Sequence, residues 1–429
     1  MDTVVLGAGI AGLGYLNSYA ECENIRVYEK DSRPGGLCKS FTINGFTFDS
    51  AVHLSFTKSE AARELFDKTQ FTRHEPIAYN FYNGKYIKHP VINNLSCFSP
   101  EERCEYIESF LDRSTGIEIA NYGDWLLGSY GRAFKRDFYD CYTRKYWRME
   151  ADELSTTWIG KRLQNPDFHK ILMGSFTSDT GIDYYANEMR YPVEGGYEAF
   201  LDPLIKRDHI IYNKDVVGID TAKKEVFFHD GDHVHYDKLV SSLPLCRMPE
   251  IVRNVPENVT EAAKRLKYTK VSIVSIGFHK LNIAKHLWMY IYDEDIMAAR
   301  VNSPGIKSSN NVPAGYSSLQ FEIYHGDWEK INREEVIENT LYALRKMKLC
   351  QKDDIEFVDY RLLPFGNVIF YNGMENDRDI VRNYLKKEGI HTIGRFGEWD
   401  YLWSDQSLLS GVHGGQCEVS VSEGGEKQP

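Results

Sequence analysis

No stretch of this 429-residue chain approaches the ~18 consecutive apolar residues that a membrane-spanning helix requires. The opening residues, 1–13, lack the positive n-region of a signal peptide, and their apolar run is interrupted by glycines. The eight cysteines (Cys22, Cys38, Cys97, Cys104, Cys141, Cys246, Cys350 and Cys417) form no C-x-x-C pair and no zinc-finger spacing. Scattered thiols of this kind point to a reduced, cytoplasmic protein rather than a disulfide scaffold. The thirteen histidines show no ligand spacing, and neither H-E-x-x-H nor G-x-S-x-G occurs, so no metal site and no serine-nucleophile elbow is expected. An excess of positive charge is missing as well. The formal net charge of −11 argues against nucleic-acid binding and against docking on anionic lipid, while leaving room for local basic spots that hold phosphate. No internal repeat and no low-complexity linker divides the chain, so any domains are interleaved rather than strung in series.

What is present is aromatic. The chain has 28 Tyr and 22 Phe, enough for large cores and for a pocket that holds a planar or sugar ligand. Its length suits two or three domains of roughly 100–200 residues. Residues 4–6 and 25–28 read as short buried strands flanking a helix, and residues 41–48, with an Asn-Gly turn, read as a hairpin. Between about 99 and 170 the apolar pattern turns helical, opening on Pro100 followed by two glutamates. Strand signals return at 210–212 and 216–219, a hairpin at 224–235, and buried strands at 239–243 and 271–278; residues 334–347 form an amphipathic helix.

The first fifty residues carry the most chemistry. Gly7, Gly9 and Gly12 form G-x-G-x-x-G between a strand and a helix start. The glycines permit a tight turn, close approach of backbone to a pyrophosphate, and close helix packing; the helix N-terminus favours the anion. Glu29 lies 17 residues beyond Gly12, at the end of the second strand, where a carboxylate accepts from the adenosine ribose. Arg33-Pro34-Gly35-Gly36-Leu37 follows at once. Its glycine backbone can approach the pyrophosphate and Arg33 can pair with the cofactor, which distinguishes FAD from NAD.

At this point the residues resemble the flavin-dependent amine oxidase and UDP-galactopyranose mutase group. The shared shape is the glycine fingerprint, Glu29, the R-x-G-G segment and a hairpin leading to His53. Later blocks resemble the mutase branch, in order along nearly the whole chain: 83–90 leading into Asn93-Asn94, the aromatic run 142–147, Trp158-Ile159-Gly160-Lys161-Arg162, Arg190-Tyr191-Pro192 with Gly195-Gly196, and Gly394-Arg395-Phe396-Gly397-Glu398-Trp399 with Tyr401. The resemblance implies an α/β fold: a Rossmann-like FAD-binding domain (1–90, 205–250 and 390–422), an interleaved helical domain (91–175) and an antiparallel sheet domain (176–204 and 251–389). It implies FAD as cofactor and a nucleotide sugar as substrate. The implied reaction is redox-neutral: the reduced cofactor displaces the nucleoside diphosphate from the sugar, which opens, recloses with another ring size and recaptures the diphosphate.

The resemblance also implies residue roles. Arg162 and Arg300 would hold the diphosphate, Tyr290 and Tyr401 would contact it through their hydroxyls, and His53 would lie beside the flavin. Lys30, Val217, Arg395, Asp405 and Gln406 join the glycines, Glu29, Arg33 and Leu37 as cofactor contacts. Tyr142, Trp147, Asn187 and Asn367 would line the substrate cleft. Several positions depart from the family pattern. Ala51-Val52 replaces a glycine pair, Lys58 a second histidine, Thr143 an asparagine and Asn367 a tyrosine, for which Tyr371 is a candidate substitute; the uracil-gripping segment, Tyr184-Tyr185-Ala186-Asn187, matches poorly. These losses fall on substrate recognition. They leave three readings open: a nucleotide-sugar mutase whose donor is UDP-galactose or another nucleotide sugar, a redox enzyme of the amine oxidase, porphyrinogen oxidase or desaturase type, and a FAD-binding protein without catalysis.

Overall fold

The computed structural model describes residues 1–160, 162–163, 165–184, 186–283 and 285–414. Lys161, Tyr185, Cys417 and the stretch 415–422 assigned above to the FAD-binding domain lie outside them. The strands Asp2–Leu6 and Asn24–Tyr28 pair in parallel around the helix Ile10–Tyr19. Three further strands complete a five-stranded parallel sheet: Lys238–Ser241 and Ile390–Thr392 on one side, Ile210–Ile211 on the other. The sheet therefore draws on three separated stretches of chain, and the apolar character of its strands is that of a sheet covered on both faces.

Close packing explains why the last helix belongs here. A methyl group at Gly12 would collide with the Gly7 carbonyl. One at Gly14 would meet the Leu408 carbonyl, and one at Gly411 the Ala11 carbonyl. The helices Ile10–Tyr19 and Ser404–Val412 thus touch backbone to backbone through facing glycines.

A seven-stranded sheet forms the second layer. Its ten-residue strand Thr269–Phe278, second from one edge, pairs antiparallel with Ser317–Gly326 on one side and with the edge strand Ile355–Leu363 on the other. Beyond these, Arg300–Asn302 and Trp288–Ile291 lead to the hairpin Tyr79–Tyr82/Lys85–Lys88. Two expected boundaries shift. The hairpin at 79–88, placed within the cofactor domain, joins the large sheet through a parallel pairing of Tyr79–Tyr82 with Trp288–Ile291, so that sheet is mixed rather than antiparallel throughout. Met189–Pro192, placed in the sheet domain, instead pairs with Phe71–His74. Both strands are four residues long and find partners far away in sequence, which periodicity cannot reveal.

The helical segment opens as expected. Ser99 accepts from the Glu102 backbone N–H at 3.2 Å and Glu102 returns the bond to Ser99 at 2.7 Å, a capping box before Pro100–Leu111. The helix Asp140–Trp147 is pinned to the sheet layer by Lys145, whose ammonium donates to the carbonyls of Ile291, Asp293 and Ala298 at 3.0, 2.6 and 3.3 Å. Burial pulls this lysine down to about 8.

A second buried charge joins the cofactor hairpin to the sheet. Asp49 accepts from Lys307 at 3.1 Å, from Ser40 and Tyr191 hydroxyls, and from the Tyr197 N–H. Asp49 and Lys307 are each 1% exposed. Removing one partner strands the other charge in the core. Lys307→Met should therefore lower unfolding free energy by about 3–5 kcal/mol in urea titration.

Candidate functional site

The glycine loop and the R-P-G-G loop meet as one surface. The Gly35 N–H donates to the Ala8 carbonyl at 2.8 Å, and Gly9 bridges to Gly35. Glu29 is buried, its two oxygens accepting from the N–H groups of Ala8 at 2.7 Å and Asp31 at 3.0 Å. The helix Ile10–Tyr19 begins with no side-chain cap and no acidic residue in its first turn. Its free N–H groups and dipole suit a phosphate. A methyl group on Gly36 would stand 3.2 Å from the Gly9 Cα, so side chains would fill the space a dinucleotide needs. These residues fit FAD.

The other expected cofactor residues are placed variously. Arg33 is already engaged, with Glu198 at 3.2 Å and with the Ser40 carbonyl. Leu37 lies in the short turn Gly36–Cys38, and Lys30 is exposed. Val217 is 48% exposed on the strand Val216–Asp220. Asp405 and Gln406 sit in the first turn of the helix Ser404–Val412, where Gln406 caps the Trp403 N–H at 2.9 Å. His53 stacks on Tyr197 with ring centroids 4.8 Å apart, and its Nδ1 lies 2.9 Å from the Ala51 carbonyl oxygen. Burial holds its pKa below the usual histidine value.

Beside this surface, between the helical segment and the large sheet, lies a cleft of about 270 Å³. Arg162, Arg300, Tyr290, Tyr401, Tyr142 and Trp147 all line it, although they are scattered from 142 to 401 in the chain. Asn187 does not; it is exposed and outside the lining, a correction to its expected role. Asn367 is buried behind the wall, where its Oδ1 accepts from Arg395 at 2.8 Å and from the Tyr146 hydroxyl at 3.3 Å. Tyr371 is no substitute for the missing tyrosine, because its hydroxyl donates to Asp377 at 2.7 Å.

The electrostatics at one end are unusual. The guanidinium carbons of Arg162 and Arg395 lie 4.5 and 4.6 Å from the Tyr401 ring centroid. Both groups donate to backbone carbonyls: Arg162 to Trp158 at 3.0 Å and to Tyr401, Arg395 to Leu402 at 2.7 Å. Among the described residues neither has a carboxylate in ion-pair range, and the Nε of each is buried without an acceptor. Burial lowers the Arg162 pKa below the usual arginine value, and the like charge of Arg395 adds to it. Arg300 differs. Burial would pull it down too, but Glu322 at 2.5 Å outweighs burial and raises it. The Trp158 Nε1 and Asn367 Nδ2 are further buried donors lacking acceptors among the described residues. Buried donors are nearly always satisfied in folded proteins, and the two that belong to the cleft lining, Arg162 and Trp158, suit an anion.

The sequence motifs that contain Tyr146 and Trp158 assigned these residues no role in the site, and Tyr324 and Glu322 lie outside every motif. Tyr146 was legible: it stands four residues after Tyr142 on one helical face. Its hydroxyl lies 2.8 Å from that of Tyr401, and its ring lies under Arg300. Burial keeps Tyr142, Tyr146 and Tyr324 protonated. Glu322 accepts from Val52 N–H at 3.1 Å as well as from Arg300, linking the His53 loop to the cleft. No local pattern marks it.

A dinucleotide cradle opening beside an arginine-rich aromatic cleft defines a flavin-dependent enzyme rather than a nicotinamide dehydrogenase. A family model for flavin containing amine oxidoreductase matches residues 132–412, and one for an NAD(P)-binding Rossmann-like domain matches residues 5–69. The chain belongs to the flavin-containing amine oxidoreductase family, and its cofactor is FAD. Its fold is that of reduced UDP-galactopyranose mutase, with a TM-score of 0.91 at 21% identity over 96% of this chain and 94% of that one. A protein described as a protoporphyrinogen oxidase, from Exiguobacterium sp. 255-15, superposes with a TM-score of 0.74 at 14% identity over 96% and 97%. An inactive all-trans-retinol 13,14-reductase from Danio rerio is 41% identical over 54 residues, 12% of this chain and 9% of that protein. No helix among the described residues is long and apolar enough to cross a membrane, and none of their His, Cys, Asp and Glu side chains group as a metal site.

Two outcomes are expected. Gly36→Val, at φ +56° and facing Gly9, should yield folded protein that loses its flavin absorbance on desalting. His89, which lines the cleft, is held at about 4 by burial. The unfolded chain takes up this proton near pH 6.5, so His89 contributes a loss of stability as pH falls from about 6.5 towards 4. His89→Gln should flatten the fall in urea midpoint between pH 7 and 4.5.

Proposed function

We propose that this protein interconverts the pyranose and furanose forms of a nucleoside-diphosphate sugar, a redox-neutral isomerase that serves cell-surface polysaccharide synthesis in the cytoplasm. The observation behind this reading is Arg162, a partly buried cation in the cleft lining that stacks with Arg395 on Tyr401 and has no carboxylate in ion-pair range among the described residues. A diphosphate supplies the missing acceptors. Arg162, from one wall, and Arg300, from the other, bind its oxygens, and the Tyr290 and Tyr401 hydroxyls donate to it. As the sugar–oxygen bond breaks, negative charge grows on the departing diphosphate, and multidentate guanidinium donors stabilise that charge in a dry site. Tyr142, Tyr146 and Trp147 exclude water from the open sugar. His53 borders the cofactor side. Bound FAD, when reduced, supplies the nucleophile that these residues aim the sugar towards.

The family match favours one other reading, an oxidase that removes hydride from an amine or a similar substrate. The two diverge in a single experiment. Protein reduced with dithionite under anaerobic conditions is incubated with a panel of nucleotide sugars, and products are separated by ring size. A furanose isomer formed only with reduced flavin is the expected result, and Arg162→Ala should lower its rate at least about a hundredfold, as loss of a charge-stabilising donor does, while retaining FAD. Flavin reduction by an amine, with no isomer from any donor, overturns the mutase reading.

A further inference from the structure

The cleft is polarised along its length. At the Tyr401 end the unsatisfied buried groups are donors, Arg162 Nε and Trp158 Nε1. The other end is lined by His89, Asn93, Lys170 and Asp183, and the buried unsatisfied atom there among the described residues is an acceptor, Asn93 Oδ1. Asn93 is 8% exposed, and its Nδ2 donates to Asp183 Oδ2 at 2.7 Å. An ionised carboxylate only accepts, so the amide orientation is fixed and Asn93 Oδ1 is an acceptor; it has no donor among the described residues. Lys170 donates to the same Asp183 oxygen at 3.0 Å, which leaves Asp183 Oδ1 unengaged among the described residues. His89 adds a third acceptor. Its Nδ1 lies 3.0 Å from Asn80 Oδ1, and Asn80 already donates through Nδ2 to the Ile87 carbonyl at 3.1 Å. The His89 proton therefore sits on Nδ1 and the lone pair on Nε2.

The mutase reading puts the diphosphate at the arginine end and the nucleoside at this one, and the choice of base rests on that reading. We infer that the Asn93–Asp183 end of the cleft selects a base with adjacent N–H donors, and that the substrate is a guanosine-diphosphate sugar. Guanine presents a ring N–H beside an exocyclic amino group, which match Asp183 Oδ1 and Asn93 Oδ1, and its carbonyl accepts from Lys170. Uracil presents one N–H between two carbonyls, so at least one carbonyl oxygen would face an acceptor of like partial charge. Adenine and cytosine pair a single amino group with a ring acceptor. A site built from unpaired hydrogen-bonding groups rejects a base that cannot satisfy them.

Binding of GDP, UDP, ADP and CDP to the FAD-loaded protein, followed by calorimetry, tests this. GDP should bind at least about tenfold tighter than UDP, as expected of a site that reads hydrogen bonds. Asp183→Asn should erase most of that preference by weakening GDP alone, with flavin absorbance unchanged. Arg162→Ala should weaken all four together, since it acts on the shared diphosphate. UDP binding as tightly as GDP overturns the base assignment and leaves the diphosphate site standing. Failure of all four to bind overturns both.

Discussion

Two guanidinium groups held over one tyrosine ring, with no carboxylate beside them among the described residues, set the electrostatic problem around which this molecule is arranged. The two like charges repel, and partial burial weakens the screening by water. The protein offsets part of the cost with the Tyr401 ring face and with backbone carbonyls from Trp158, Tyr401 and Leu402. It leaves the last donors unmade. Partly buried positive charge without a carboxylate partner suits an anion, and the diphosphate of the proposed substrate fits that need.

Holding these side chains in place requires both layers of the fold. Arg162 comes from the helical segment, Arg300 from the large sheet, and Arg395 and Tyr401 from the return to the parallel sheet. Lys145 ties the helical wall to the sheet through three carbonyls, and Asp49 ties the cofactor hairpin to Lys307 on the short helix Pro304–Lys307 and, through its carbonyl, to Gln320 of the same sheet. Buried ion pairs of this kind add little net stability, since desolvation offsets attraction. Their effect here is geometric: they fix the register between cofactor cradle and cleft. Glu322 extends the connection, accepting from the Val52 N–H on one oxygen and from Arg300 on the other.

The departures from the family pattern also take on physical meaning. Val52, in place of glycine, stiffens its backbone, yet its N–H is used to hold Glu322. Asn367, in place of a tyrosine, withdraws behind the wall, where its side-chain oxygen accepts from Arg395 and Tyr146. It orients cleft residues instead of lining the cleft.

The cofactor site was legible in the linear chain because its requirements are local. Three glycines, Glu29 and the Gly35-Gly36 turn lie within thirty-odd residues, and backbone approach to a pyrophosphate permits few alternatives. The paired strands, the helix start at Pro100 and the amphipathic helix Arg333–Lys346 were legible for the same reason. The cleft was legible only through resemblance, since an isolated arginine reads equally well as a surface ion pair. What tertiary structure alone decided was which charges go unpaired. Arg300 meets Glu322, Arg33 meets Glu198, and Arg162 meets no carboxylate among the described residues, although nothing in their neighbouring residues distinguishes them. The same holds for the hairpin at 79–88, for Asn187 in solvent, and for Asn93 beside Asp183, ninety positions apart in sequence. Pairing and burial depend on partners brought together by packing, and a one-dimensional pattern encodes each partner's own preference without encoding their meeting.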